Sequence, residues 1–443
     1  MKKEKKPFVF PLPASVNSAI SLLEEKGYQA YLVGGAIRDS FFGVKTKDYD
    51  LTSDASPSEI AAVFEKLGIY SKNLKHDTVN VHLEDQDIEI TSFRGGEKTI
   101  ESDLEKRDFT INALAYSPSV GFVDPLEGKE DIASHILRCC YLPKEDFQED
   151  PLRILRGIRI AGKYHLQIEE KTSNAMHRYS SFLKQISIER IREEFLQILV
   201  LKDADRWIRE YLDVFEVFLP ELRKIQGFHQ HSPYHEFDVL EHSLHVLKAV
   251  QDRKPALCMA ALFHDVGKPD CFFFKDGYGH FYGHADKGAE IVTSLLNRLK
   301  CSKDFTEEVS SLVKWHMVEI REEKTLKKLM NRLTPPVCYE LIELREADIK
   351  GCTSNPPYKI PYVEALKQVY QKILSKKEPF SLKDLKIDGN DLLSLGLKPG
   401  PEVGTILNSL LAKVVEGSLP NEPEALKEEA EKEITASLKS SEN

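Results

Sequence analysis

Apolar positions change rhythm along this chain, and the changes divide it. Over residues 1–137 strand and helix signals mix. Tyr31-Leu32-Val33 is a short apolar strand that stops at Gly34-Gly35, while Val79-Asn80-Val81-His82-Leu83 and Asp87-Ile88-Glu89-Ile90 alternate as half-buried strands do. From Glu149 to about residue 225 the rhythm is helical, with Leu152, Leu155 and Ile158 at three-residue steps. It stays helical to about residue 350, broken by a hairpin candidate at Asp276-Gly277-Tyr278-Gly279. Pro356-Pro357 marks a boundary, and residues 351–443 read as a small helical tail closing in a charged surface helix or frayed end over 422–432. No internal repeat and no low-complexity tract interrupts this order.

At 443 residues the chain exceeds one ordinary core, so several domains are expected. Hydrophobic residues at 41% and charged residues at 30% describe a folded, soluble protein. No apolar run approaches bilayer length, and no apolar stretch of signal-peptide length follows the basic start Met1-Lys2-Lys3-Glu4-Lys5-Lys6-Pro7, which reads as a cytoplasmic protein. Seven cysteines, an odd number without a C-x-x-C spacing, argue against disulfides and thiolate metal sites and fit a reducing compartment. A net charge of −10 means that any nucleic-acid contact must come from local basic placement.

The first candidate chemistry lies in Gly34-Gly35-Ala36-Ile37-Arg38-Asp39 and Lys47-Asp48-Tyr49-Asp50-Leu51. On a strand, Asp48 and Asp50 share one side, where two carboxylates can hold Mg²⁺ against a triphosphate and a 3′-hydroxyl; Glu89 could join them. The Gly34-Gly35 turn opens backbone N–H groups to phosphate oxygens, and Arg38 adds a charged donor. Alone, a D-x-D is weak, because surface aspartate pairs are usually just solvated.

Its company is specific. Leu32 to Asp39, Asp48 to Leu51, Arg107-Asp108-Phe109-Thr110-Ile111-Asn112-Ala113-Leu114-Ala115, Asp124-Pro125 with Gly128-Lys129 and Asp131, Glu149-Asp150-Pro151-Leu152-Arg153 and Glu189-Arg190-Ile191-Arg192-Glu193 follow in order over roughly residues 28–200. Together they resemble the class II tRNA nucleotidyltransferases and bacterial poly(A) polymerases. The resemblance implies an α/β nucleotidyltransferase head over 1–137, built on a mixed five-stranded sheet with helices. An all-α neck (138–225), an HD metal domain (226–350) and a tail (351–443) would follow. It also implies catalytic metals at Asp48 and Asp50, and ribose and triphosphate contacts at Arg107, Asp108 and Asn112. Read alone, Asn112 is a helix-surface amide and Asp108 an N-cap.

An enzyme without a template must read the base with side chains. Asp150 and Arg153, three apart, fall on one helical face. An aspartate accepts from an exocyclic amine and an arginine donates to a ring nitrogen, a polarity that suits C and A and leaves both groups unpaired against U and G. The bland reading is an i,i+3 salt bridge. Arg156 and Arg159 continue the basic face, either toward nucleotide and RNA phosphates or simply solvated.

Between Arg94 and Arg107 lie only twelve residues, and Ser102-Asp103-Leu104-Glu105 reads as a capping box opening a helix at Arg107. About seven residues are left for a mobile loop. Full CCA-adding members of the resembled class carry a longer flexible segment here, and members that stop after two cytidines have it shortened. The resemblance therefore points to a CC-adding enzyme using CTP, and ATP only if it is a full CCA-adding one, with a separate A-adding enzyme completing the same tRNA. A poly(A) polymerase usually carries a long basic C-terminal extension, which this acidic tail lacks.

Of fourteen histidines nine fall between His229 and His316. Glu241-His242, Leu262-Phe263-His264-Asp265-Val266-Gly267-Lys268, Gly283-His284, Trp315-His316 and Glu346-Ala347-Asp348 resemble an HD domain. Its ligands would be His242, His264, Asp265 and Asp348, with His284 and His316 matching members that bind two metals. Imidazole with carboxylate suits Mn²⁺, Fe²⁺, Co²⁺ or Ni²⁺ better than Mg²⁺, and the implied activity is phosphoester hydrolysis. The alternative is a helical body kept for tRNA. A pure HD phosphohydrolase whose head merely binds RNA is disfavoured by the intact Asp48, Asp50, Asp150 and Arg153. His229, His231, His235, His245 and His280 read as surface or core histidines. Ile387 to Leu393 and Gly396 to Pro401 resemble the C-terminal arm of such enzymes, where Lys398 could meet a phosphate, or are a plain turn.

Overall fold

The computed structural model describes residues 10–440 except 47, 66–69, 72–77, 84–85, 96, 232–235 and 353–358. The basic start Met1–Pro7, Lys47, Gly96, His235 and the Pro356-Pro357 boundary lie outside the described residues. The chain forms two compact units, one of residues 1–201 with 210–218 and one of 202–209 with 219–443.

The first unit is built on strands β1 (Ala30–Val33), β2 (Tyr49–Ser53), β3 (Tyr70–Ser71), β4 (Thr78–Leu83), β5 (Gln86–Ser92), β6 (Ala115–Ser117) and β7 (Gly121–Val123). They form one mixed sheet in the order β3-β4-β5-β2-β1-β6-β7. Among the described residues of this sheet only β2 and β5 pair in parallel, and this pairing sets Asp50 beside Glu89. Seven strands stand where five were expected. β3 and β7 have two and three residues, too short to leave an alternating pattern in the sequence. Helices α1 (Ala14–Glu24), α2 (Gly35–Phe41), α3 (Pro57–Glu65), α4 (Ile100–Glu105) and α5 (Gly128–Ala133) accompany the sheet. Ile100 and Leu104 of α4 pack against Tyr31, Val33 and Ala115.

Helices α6 (Pro143–Glu149), α7 (Arg153–Tyr164), α8 (Glu170–Arg178) and α9 (Ile188–Leu199) follow. On α7 the steps Ile154, Leu155, Ile158 and Ala161 are buried while Arg156 and Arg159 stay on the wetter side. Gly157 lets this helix approach closely, for a Cβ there would lie 2.4 Å from Met176 and 2.9 Å from Phe109.

The second unit is helical apart from the hairpin expected around Gly277, whose strands are Phe273–Lys275 and Tyr278–His280. Its last helix, Pro423–Ser440, is the charged surface helix of the two readings and not a frayed end, and it also has a buried side. Leu426, Ala430 and Ile434, four residues apart, bury a stripe against Ile406 and Leu410. Among the described residues no helix is long and apolar enough to cross a membrane, and all seven cysteines are free.

Candidate active site

One end of the sheet opens into a cavity of about 440 Å³. Gly34 turns the chain from β1 into α2 at φ +73°, a left-handed value natural only to glycine, and a Cβ there would stand 3.2 Å from Nη1 of Arg107. Asp50, opposite Val33 in the sheet, points into the same cavity. Cleft walls that displace water raise its carboxyl pKa; Arg107 opposes the shift and Asp48 adds to it. Glu89 is raised likewise, by desolvation and by Asp50. Asp48 lies just ahead of β2, exposed, and neither it nor Glu89 lines the cavity. The three carboxylates flank one strand end without closing into a tight ligand group. Asp50, its anion disfavoured by the cleft and by Asp48, and Glu89, disfavoured in turn by Asp50, form a donor set that a divalent cation fits.

Six arginines against three aspartates line this cavity, a composition suited to a polyphosphate. Arg38 is clamped by Asp39, Asn112 and Tyr164: its Nη2 donates to Asp39 at 2.7 Å and to the Tyr164 hydroxyl at 3.2 Å, and Nη1 donates to Asn112. Asn112 is therefore no surface amide. It is buried, and its own Nδ2 donates to Asp108 at 2.8 Å. The short turn Thr110–Asn112 is pinned by the Thr110 hydroxyl, which donates to Asp131 at 2.6 Å. Asp108 caps no α-helix; it accepts from Arg156 at 2.7 and 3.1 Å. Burial disfavours its charge, yet Arg156 and Asn112 outweigh that and hold the carboxyl at about 2.

Two expectations about local structure are corrected here. Helix α4 starts at Ile100 with Thr99 as its cap, accepting from the Ser102 amide at 3.3 Å, and ends before Arg107. The Ser102 capping box is thus absent, because Asp103 turns inward instead of staying at a helix start. Fully buried, Asp103 accepts from Arg107 at 2.9 Å and from the Arg94 amide at 3.0 Å, and so positions both arginines in the cavity. Nor do Asp150 and Arg153 share a helix face. Pro151 disfavours helix at the residue before it, so α6 ends at Glu149, Asp150 is extended, and α7 begins at Arg153. Their side chains do not pair with each other. Asp150 accepts from Arg190 at 3.2 Å, and Arg153 donates to Asp146 at 3.0 Å and to the Lys106 carbonyl at 2.9 Å. Both nevertheless line the cavity with Gly35, Arg156 and Arg159, the last held by Glu194 at 2.6 Å. Sequence reasoning missed Arg94 as a cavity residue and Asp103, Asp146 and Tyr164 as positioning residues, since each holds its partner only through the fold.

The second unit gathers its own donor set around a cavity of about 610 Å³. His242 comes from helix Val239–Ala249, His264 and Asp265 follow helix Pro255–Phe263, His284 opens helix His284–Arg298, His316 follows helix Lys303–Trp315 and Asp348 rides on helix Pro335–Gly351. Asp265 stands between two histidine pairs. Its Oδ2 is 3.5 Å from His242 and 3.2 Å from His264, and its Oδ1 is 3.3 Å from His284 and 3.6 Å from His316. Asp348 lies 3.2 Å from Nε2 of His242. In His264, His284 and His316 the Nδ1 meets the carbonyl three residues earlier, at 2.9, 2.8 and 2.6 Å. That bond makes Nδ1 the protonated nitrogen and turns the Nε2 lone pairs toward each other, as in metal sites. Burial lowers the pKa of His316; at His264 the same burial is outweighed by Asp265, which raises it. Cys352, unmarked by any sequence spacing, joins His242 and Asp348, and burial holds its thiol up at about 11. Lys268 donates to Asp265 at 2.6 Å and to Gln230 at 2.7 Å. His280, read as surface or core, stands in the cavity wall.

A mixed sheet with acids at one strand end, facing an arginine-lined cavity, defines the first unit as a nucleotidyltransferase head. Residues 30–138 match the poly A polymerase head domain, and residues 283–430 match domain 2 of tRNA nucleotidyltransferases. The A-adding tRNA nucleotidyltransferase of Deinococcus radiodurans is 31% identical over 399 residues, 86% of this chain and 90% of its own. The CC-adding tRNA nucleotidyltransferase of Thermus thermophilus is 31% identical over 89% of this chain and 92% of its own. The CCA-adding enzyme of Lactobacillus helveticus is 29% identical over 96% and 98%. In fold the chain is similar to the Bacillus stearothermophilus CCA-adding enzyme in complex with CTP, with a TM-score of 0.68 at 22% identity over 96% of this chain and 98% of that one. The chain belongs to the tRNA nucleotidyltransferase family.

Proposed function

We propose that this protein adds two cytidines from CTP to the 3′ end of tRNA and leaves the terminal A to a separate enzyme. The carrying observation is the connection between β5 and the Thr99 cap of α4. Strand β5 ends at Ser92 and α4 is capped at Thr99, so only six residues join them, two of them Phe93 and Arg94 tied back into the fold. Arg153, itself a candidate base reader, is bonded to the carbonyl of Lys106 at the other end of α4, which opposes any shift of the pocket from a pyrimidine to a purine.

Asp48 and Asp50, with Glu89 beside them, would hold Mg²⁺, which supplies charge neutralisation of the triphosphate and activation of the 3′-hydroxyl. Arg38, Arg107, Arg156 and Arg159 bind phosphate oxygens, while Asp108 and Asn112 orient the nucleotide. Asp150 accepts from the cytosine amine and Arg153 donates to its ring acceptor. Relatives named A-adding, CC-adding and CCA-adding all resemble this chain, so product length decides. Incubation of tRNA ending at the discriminator base with CTP and ATP together should give CC ends. Efficient ATP addition to tRNA ending in CC would overturn the reading, and runs of A would favour a poly(A) polymerase.

We further propose that the histidine centre is an HD site holding Mn²⁺, Co²⁺ or Ni²⁺ and hydrolysing phosphoesters. His242, His264, Asp265, His284, His316 and Asp348 would hold the metal, which when bound supplies an activated water. The support is the convergence of four imidazole Nε2 atoms on the two oxygens of Asp265, with Asp348 beside the Nε2 of His242. Metal analysis after loading with these ions tests it; an empty centre would leave a purely helical body for tRNA.

A further inference from the structure

Apart from both cavities, the second unit packs a group of acids that its neighbouring cations do not match. Glu340, on helix Pro335–Gly351, is only 3% exposed. Its Oε1 accepts from the ammonium of Lys254 at 3.0 Å, whereas its Oε2 is buried and meets no donor. The Glu308 carboxyl, on helix Lys303–Trp315, comes within hydrogen-bond reach of Glu340. Asp252 shares Lys254 at 3.2 Å, and Glu343, one turn beyond Glu340, adds a second buried oxygen without a donor. Lys367, on helix Lys359–Ser375, eases the charge of Glu343, yet its own ion pair is with Glu346. Helix Pro255–Phe263, which packs on helix Lys303–Trp315, has no charged residue. Helix His284–Arg298 meets it through the Thr293 and Ser310 hydroxyls at 2.8 Å and the Lys314–Asp286 pair at 3.2 Å.

Two carboxylates in contact repel each other, and burial withholds the water that would screen them. One proton between them removes the repulsion and turns it into a hydrogen bond to an anion, the strong kind. A metal ion could do the same only with further donors. Among the described residues no third histidine, cysteine or carboxylate closes with this pair into a ligand group. Burial, reinforced by Glu340, pushes the Glu308 carboxyl up to about 7, although Lys254 opposes the shift. We propose that Glu308 and Glu340 share one proton and so form a clasp between helices Lys303–Trp315 and Pro335–Gly351 that holds in mild acid and opens in mild alkali. His316 follows the first of these helices and Asp348 rides on the second, so the clasp joins two elements that supply the histidine centre.

A carboxyl raised on folding contributes stability that is complete below its unfolded value of about 4.3 and is lost as pH rises through the folded value. Glutamine keeps a donor in place but cannot titrate. Full-length wild type, Glu308→Gln and Glu340→Gln are melted between about pH 5.5 and about pH 8.5, across the range in which the pair titrates. The gap between each variant and wild type should widen in favour of the variant as pH rises, and Glu308→Gln should end several degrees above wild type. At the alkaline end, hydrogen exchange in the two helices should be slower in Glu308→Gln than in wild type. Infrared spectra of wild type should show a carboxylic-acid band that fades with a midpoint near neutrality and is missing from Glu308→Gln. That titration, read on wild type alone, decides the matter if a variant fails to fold. A gap that stays constant with pH, or a wild type without such a band, overturns the proposal. So does potassium or calcium that raises the melting temperature of wild type but not of Glu308→Gln at the alkaline end, which would put a cation in place of the proton.

Discussion

Asp50 and Asp108 show how one side-chain type takes two roles within a single cavity. Asp50 faces open space with its anion disfavoured, the condition of a carboxylate waiting for a cation. Asp50→Ala is expected to lower nucleotide addition about a thousand-fold, the scale of losing a metal's stabilisation of charge. Filter binding should find tRNA affinity nearly unchanged; near-normal CTP incorporation would remove Asp50 from the mechanism. Asp108 is instead satisfied by Arg156 and depressed to about 2. A carboxyl depressed on folding stabilises above its unfolded value of about 3.9, and this is lost as pH falls through the folded value. Arg156→Ala should therefore cost about 2 kcal/mol at neutral pH, as for a hydrogen bond to a charged group. In urea denaturation the gap from wild type should close as pH falls from about 4 towards 2.

At the scale of elements, the proposed base reading would depend on the break between α6 and α7 and on the brevity of the chain before α4. Arg153 is buried and neutralises Asp146, so Arg153→Ala would strand a buried charge and confuse folding with specificity. Asp150→Ala is the cleaner probe, since Asp150 is only partly buried at the break. It should admit UTP and GTP in single-nucleotide incorporation assays, and strict selectivity in this variant would place base reading elsewhere. Inserting several flexible residues after Gly95 should raise ATP incorporation relative to CTP on tRNA ending in CC. No change in that ratio would separate segment length from specificity. The sequence made the strand ending at Val33 legible as a short apolar run, those around Val81 and Ile90 through alternation, and α7 through its apolar steps. The helix break is masked by the three-residue step from Asp150 to Arg153, a helical spacing, although Pro151 between them is its signal. The roles of Asp103 and Asp146 were not readable, since nothing local distinguishes an aspartate that turns inward from one that caps.

For the whole molecule, two chemical centres lie in two separately packed units. Chelation of transition metal followed by return of Mg²⁺ should leave CTP addition unchanged while lowering the melting temperature, because a metal bound only by the folded state stabilises that state. Loss of addition in parallel with metal would contradict the separation. The acidic chain gathers six arginines in one cavity, a local concentration that the net charge alone concealed. Six histidine and aspartate positions of the second centre were legible through the likeness of spaced motifs. Lys268 stood in the quoted motif without a role until its bond to Asp265 showed one, and Cys352 was not legible, because a lone cysteine carries no signal until helices bring it to the same wall.

Asp265 has a further consequence. Its two oxygens each face a different histidine pair, so the pairs are joined in series through one side chain. His242→Ala or His316→Ala should each deplete one half of the bound ions, whereas Asp265→Ala should empty both halves at once. Counted by native mass spectrometry, a lesion at one carboxylate would register as two vacancies.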